Sequence, residues 1–173
     1  MEVGLLALRV IVGGLFVGHG AQKLFGRFRG AGLDGTGEFF ESVGLRPGRM
    51  MAMTAGLAEL TGGTLFALGL LTPLAAALLI AVMCSAIATV HWRNGLWVTE
   101  NGFEYPLVLA AVAFAVTAIG AGAWSLDEAL SLDVAGLGWA LAALATGLLG
   151  AIAALGLGRL RPHGRTGATP ANA

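Results

Sequence analysis

Five apolar stretches, each close to the ~20 residues that a helix needs to cross the hydrocarbon core of a bilayer, run through the chain. They are Val3 to Phe25, Met50 to Leu71, Pro73 to Trp92, Glu104 to Gly122 and Val134 to Leu157, each bounded by loop residues. Hydrophobic residues fill 57% of the 173 positions and charged residues 12%, against about a quarter charged in soluble domains. A water-soluble fold of this length has no means of hiding so much apolar surface, and the gaps leave no room for a separate soluble module. The expected class is all-α: a polytopic transmembrane helical bundle forming one unit.

The connections refine this picture. Spans two and three are separated only by Leu71, Thr72 and Pro73, which forces an antiparallel hairpin, with Pro73 starting the new helix where its missing N–H is harmless. Loop one, Gly26 to Arg49, is the long connection, and within it Glu38, Phe39, Phe40, Glu41 and Val43 form a short amphipathic stretch ended by Gly44 and Pro47. That stretch reads as a helix lying in the interface or as an irregular loop. The tail from Gly158 lacks apolar periodicity and is expected to be disordered beyond a basic patch of Arg159, Arg161 and Arg165 that favours lipid headgroups. The N-terminal stretch has no basic n-region, carries Glu2 and runs past signal-peptide length, so it reads as the first span.

With five crossings, Lys23, Arg27, Arg29, Arg46, Arg49, Arg93, Arg159, Arg161 and Arg165 share one side, and no Lys or Arg falls in the loops of the other. This asymmetry puts the basic side in the cytoplasm, the N-terminus outside and the C-terminus inside, across a plasma membrane. Four crossings would put the basic tail outside. Trp92 and Trp97 then fall at the basic interface and Trp124 and Trp139 at the other, as belt residues do. Gly13, Gly14, Gly18 and Gly20 in span one and Gly56, Gly62, Gly63 and Gly69 in span two suit close helix approach.

A charge at the bilayer centre costs ~2.5–3.5 kcal/mol even on the lenient insertion scale, so such groups face the bundle interior and pair. The candidates are Arg9, His19, Gln22 and Lys23 in span one, Glu59 in span two, His91 ending span three, and Glu104 and Tyr105 opening span four. From the basic end, Glu59 lies ~13 Å deep and His19 ~9 Å, at 1.5 Å per residue. His91, Glu104 and Tyr105 lie at that surface, so the basic half gathers most of the cluster. Each residue also has a plainer reading. Lys23 is placed to snorkel to the headgroups, and Arg9 to pair with Glu59 or reach outward. Glu104 follows Asn101 by three residues, the spacing of a capping box. His91 and Tyr105 suit interfacial anchors. Glu59 is hardest to set aside, since a mid-span carboxylate without a cation on its own helix must be protonated or paired across helices. Cys84, the one cysteine, lies two turns from His91 on the same face and reads as a buried inert thiol. His19, His91 and His163 lack zinc or haem spacing, and there is no nucleotide-binding glycine loop or nucleic-acid signature.

These residues carry a resemblance. Leu8-Arg9, Gly13, His19-Gly20, Lys23, Glu59, Gly62-Gly63, Gly69, His91, Gly102-Phe103-Glu104-Tyr105-Pro106, and Gly120, Gly122, Trp124, Ser125, Leu126 and Asp127 follow one another in an order that resembles the DoxX family of small bacterial membrane proteins. The resemblance covers about the first 130 residues. It implies a four-helix core over 1–132, with 133–157 an added span and 158–173 the tail. It also implies a membrane role in redox metabolism, since relatives include a subunit of thiosulfate:quinone oxidoreductases and components of oxidative-stress complexes. The resulting expectation is a subunit of a quinone-linked oxidoreductase or thiol/oxidative-stress complex. Glu59 and His19 would then move protons to a quinone, with His91, Tyr105, Glu104 and Arg9 lining its site and no metal. The alternatives are a scaffold that recruits soluble redox proteins through the basic face and, third, a small-solute or proton transporter, disfavoured by the lack of an inverted repeat.

Overall fold

A computed structural model describes residues 2–159, and these are all-helical or loop. In chain order the helices are α1 (Glu2–Phe25), α2 (Gly32–Ser42), α3 (Gly48–Leu68), α4 (Thr72–Ala86), α5 (Glu104–Ile119), α6 (Leu126–Ala129) and α7 (Leu137–Arg159). α4 continues through a π-turn over Ile87–His91 and a 3-10 turn over Trp92–Asn94. Four segments have the length and apolarity to cross a membrane: Glu2–Phe25, Gly48–Leu68, Thr72–Asn94 and Leu137–Arg159. At 1.5 Å per residue they run ~32–36 Å, against ~30 Å of hydrocarbon.

The fourth apolar stretch is shorter than expected. α5 has 16 residues and ends at Ile119 because Gly120 takes φ 102 and Gly122 φ 88, conformations that side chains resist. It still passes from one end of the bundle to the other. Glu104 N bonds Leu96 O in the loop after α4, while beyond its C-terminus Asp127 N bonds Gly69 O at the α3–α4 turn. α1, α3, α4, α5 and α7 therefore alternate in direction, and the chain enters at one end and leaves at the other.

Two glycine pairs set the contact between α1 and α3. A Cβ on Gly13 would stand 2.5 Å from Gly63 O, and one on Gly20 would stand 2.8 Å from Gly56 O. In each helix the two glycines are seven residues apart, two turns on one face, so α1 and α3 meet backbone to backbone in antiparallel sense. Lipid is as apolar as the side chains, and close packing replaces the hydrophobic effect as the driving force here. Gly14 and Gly18 have a different role, since nothing lies within 4 Å of where their Cβ atoms would stand. Gly69 is different again: it ends α3 in the left-handed region with φ 62, and Leu70 N reaches back to Leu65 O.

The hairpin into α4 forms as expected, with Pro73 in the first turn of the new helix. Phe16, Phe66, Leu79, Ile80 and Val116 fill the interior. α7 is an integral wall, because Gly147 packs on Ile80 and the Ala77 carbonyl. The helix runs through Arg159, two residues into the stretch expected to be tail, and Gly158 O accepts from Arg46 N. The remainder of that tail, with Arg161, His163 and Arg165, lies outside the described residues. Val3, Ile11, Ile119, Leu149, Ile152 and Leu157 point outward, as lipid-facing residues do. Loop one does hold a helix, longer than its amphipathic stretch and covering Gly32–Ser42.

The glycine seam has a direct test. Gly63→Leu is expected to destabilise the bundle by more than about 2 kcal/mol through overpacking, and Gly14→Leu by less than about 0.5 kcal/mol, as at a site without neighbours. Reversible unfolding by SDS in mixed micelles measures both, and equal losses would contradict the seam.

Candidate functional site

In the half of the bundle near the C-terminal end of α1, the Lys23 ammonium donates to both oxygens of Glu59, each at 2.7 Å. The Glu59 side chain is 3% exposed and that of Lys23 22%. The contact follows from the seam: Gly56 lets α1 come so close that a Cβ there would sit 3.3 Å from Lys23 Cβ, and Glu59 stands one turn further along α3. Lys23 also occupies the last turn of α1, where the helix dipole favours a cation. The expected snorkelling of Lys23 is therefore corrected. The demand that Glu59 find a partner across helices is met by Lys23, and Arg9 does not supply it.

One turn before Lys23, His19 Nδ1 lies 3.0 Å from Gln22 Oε1, and Gln22 Nε2 donates to Phe28 O. Beside them a groove of about 400 Å³ opens on the outer side of α1, lined by Ile11, Gly14, Leu15, Gly18, His19, Gln22 and Phe28. The site thus joins a buried ion pair to a half-buried imidazole at the rim of an apolar groove.

His91, Glu104 and Tyr105 flank the loop after α4, which engages polar atoms of the first two. His91 Nδ1 and Asn94 Nδ2 both bond Asn101 O, at 2.8 and 3.2 Å. Glu104 opens α5, so it is not the third helical residue that a capping box requires. Its carboxylate accepts instead from Val98 N at 2.9 Å. Gly102 packs so tightly on Gly95 and Leu96 that no side chain fits, and Phe103 stacks on Trp92 with ring centroids 5.5 Å apart. Tyr105 is exposed. No hydrogen bond or ion pair among the described residues joins this group to Glu59 and His19.

Arg9 is fully buried toward the opposite end, roughly 21 Å along α1 from Lys23 at 1.5 Å per residue. Its guanidinium donates to Trp124 O at 2.7 Å, and Nε and Nη1 have no protein partner. Beside it, buried Asp127 accepts from Leu71 N, Thr72 N and the Thr72 hydroxyl at 2.6–3.0 Å, capping α4 from the short helix α6. Glu2 accepts from Ala123 N. Neither Asp127 nor Glu2 is among the expected site residues. Asp127 lies 55 positions from Thr72, and no local pattern announces so distant a partner, although it ends the ordered set behind the resemblance. These contacts tie the loop 120–130 to α1 and the hairpin, so Arg9 is part of a structural latch. Cys84 is half-buried beside the core. Among the described residues no three His, Cys, Asp or Glu are grouped as metal ligands.

The chain has relatives. The family model described as DoxX matches residues 4–92. A Bacillus subtilis (strain 168) protein named "Putative oxidoreductase CatD" is 35% identical over 116 residues, 67% of this chain and 80% of that protein. A Mycobacterium tuberculosis (strain ATCC 25618 / H37Rv) protein named "Uncharacterized membrane protein Rv3486" is 31% identical over 136 residues, 73% of this chain and 80% of that protein. No solved structure matches.

Removing one member of a buried ion pair strands the other. Lys23→Met is expected to lower stability by about 3 kcal/mol, and Lys23→Met with Glu59→Met to restore most of the loss. Unfolding of the single and double variants measures the coupling, and additive losses would show that the pair contributes nothing.

Proposed function

The chain belongs to the DoxX family, and we propose that it is the membrane subunit of a quinone-linked oxidoreductase, handling protons at Glu59, Lys23 and His19. Three features support this reading. A relative carries an oxidoreductase name. The chain offers a lipid-accessible groove with an imidazole at its rim. The observation that carries the reading is the buried Lys23–Glu59 pair one helical turn from that imidazole.

Reducing a quinone to a quinol takes two electrons and two protons. The electrons come from a reduced substrate or a partner subunit, since the reading assigns this chain only the proton side. Those protons must reach a ring lodged among apolar side chains, where water is scarce. An imidazolium at the rim is suited to deliver one of them, which leaves the ring neutral. The Lys23–Glu59 pair can exchange a proton internally, which leaves two neutral groups in the low-dielectric interior and makes Glu59 a second donor. In this reading the basic end faces the cytoplasm and the N-terminus lies outside, with Arg27, Arg29, Arg49, Arg93 and Arg159 exposed on the inner surface. His91, Glu104 and Tyr105 frame the inner rim without touching the quinone ring.

That exposed arginine surface also favours a second reading, a scaffold that holds soluble redox proteins at the membrane. Two measurements separate the readings. With the protein purified together with its partners in lipid nanodiscs, Glu59→Gln is expected to slow quinone reduction roughly a hundredfold while leaving assembly intact, the usual scale for removing a proton-transfer group. An unchanged rate removes Glu59 from the mechanism. Neutralising Arg27, Arg29, Arg46 and Arg49 is expected to release soluble partners in a pull-down, and if Glu59→Gln releases them equally, the pair is an assembly element.

A further inference from the structure

The glycines of α1 divide between two faces. Gly13 and Gly20 are consumed by contact with α3, whereas Gly14 and Gly18 form an open floor with no heavy atom within 4 Å of either Cβ position. Ile11, Leu15 and Phe28 rise around that floor and are 63%, 43% and 74% exposed. The groove runs from Ile11 to Gln22, ~16 Å at 1.5 Å per residue. It offers about 400 Å³ and is open along the outer side of α1. Most of its length is apolar, and only the end at His19 and Gln22 is polar.

The hydrogen bonds at that end fix what it offers. Phe28 O only accepts, so the part of the Gln22 amide facing it is the nitrogen. Gln22 Oε1 therefore faces His19 Nδ1, and because an amide oxygen only accepts, Nδ1 carries the proton. In the neutral ring the lone pair is then on Nε2, which has no protein partner among the described hydrogen bonds. The second hydrogen of the Gln22 amide is likewise uncommitted. A free acceptor, the Nε2 of His19, thus stands at the end of an apolar channel open to lipid.

We infer that this groove seats a membrane quinol, its ring hydroxyl donating to His19 Nε2, with its isoprenoid tail along Ile11, Gly14, Leu15 and Gly18. The inference rests on the quinone-linked reading and gives it a location and a redox-form preference. A hydroxyl donates to Nε2. A quinone oxygen, which only accepts, meets the Nε2 lone pair and gains no hydrogen bond there. The reduced form is therefore held more tightly than the oxidised one. Phe28 supplies an aromatic wall at the ring end, and the next turn of α1 carries Lys23 to Glu59.

The test uses the full chain in nanodiscs, with decylubiquinol and decylubiquinone binding measured by calorimetric titration. The wild type is expected to bind the quinol roughly three- to tenfold more tightly than the quinone, the scale of one neutral hydrogen bond. His19→Leu is expected to bring that ratio to near one. Gly14→Leu with Gly18→Leu fills the floor without meeting any neighbour, so the bundle stays folded and both affinities are expected to fall at least tenfold. If the filled variant binds as the wild type does, the seat is elsewhere and this inference fails while the quinone-linked reading stands. If the wild type binds neither form, both fail. A filled variant that loses a dimer but keeps quinol affinity would show that the groove holds a second copy of the chain, which also overturns the inference.

Discussion

Every polar side chain placed within a bundle of this kind must find a partner there, because lipid provides none and water is distant. The Lys23–Glu59 pair is where that constraint shapes most of the structure. It forms only because α1 and α3 lie backbone to backbone at Gly13, Gly20, Gly56 and Gly63, which brings a lysine near the end of one helix onto a carboxylate deep in the other. The pair then fixes the register of the two helices at the basic end. At the opposite end Asp127 does the same for the α3–α4 hairpin, and Arg9 and Glu2 hold the same loop to α1. The bundle is thus pinned by charge at two levels and packed by small residues between them.

The polar residues accordingly have different standing. Arg9, Asp127, Glu104 and the Nδ1 of His91 are engaged with backbone groups, and their removal would loosen a loop or a helix start. Glu59 and Lys23 are engaged only with each other. His19 is held by one edge and free at the other. A group committed to the fold cannot easily exchange protons with a ligand, so chemistry is best sought in the set whose members retain a free lone pair or a mobile proton.

Much of this was legible in the sequence. Long apolar stretches, the Leu71-Thr72-Pro73 turn, the one-sided arginines and the mid-span carboxylate each follow from local composition or spacing, and the bundle repeats them. The partner of Glu59 was not legible. Lys23 lies close enough to a helix end that snorkelling and inward pairing look alike in one dimension, and only the glycine contact between α1 and α3 decides between them. Gly13 and Gly14 are adjacent in sequence and opposite in role, which a helical face reveals only once its neighbour is known. The cluster drawn around Glu59 was also too broad. Depth along the membrane placed His91, Glu104 and Tyr105 at a compatible level, but depth says nothing about which way a side chain turns, and the loop 95–103 takes two of the three.

Because Lys23 is the one lysine in the chain, its contact with Glu59 gives a signal from a single side-chain nitrogen. Protein labelled with 15Nζ-lysine and 13Cδ-glutamate, reconstituted in lipid, is expected to show strong dipolar recoupling between the lysine nitrogen and a single glutamate carboxyl carbon, lost in Glu59→Gln. No recoupling in the otherwise native protein, or recoupling that survives Glu59→Gln, would contradict the buried pair on which this account of the site depends.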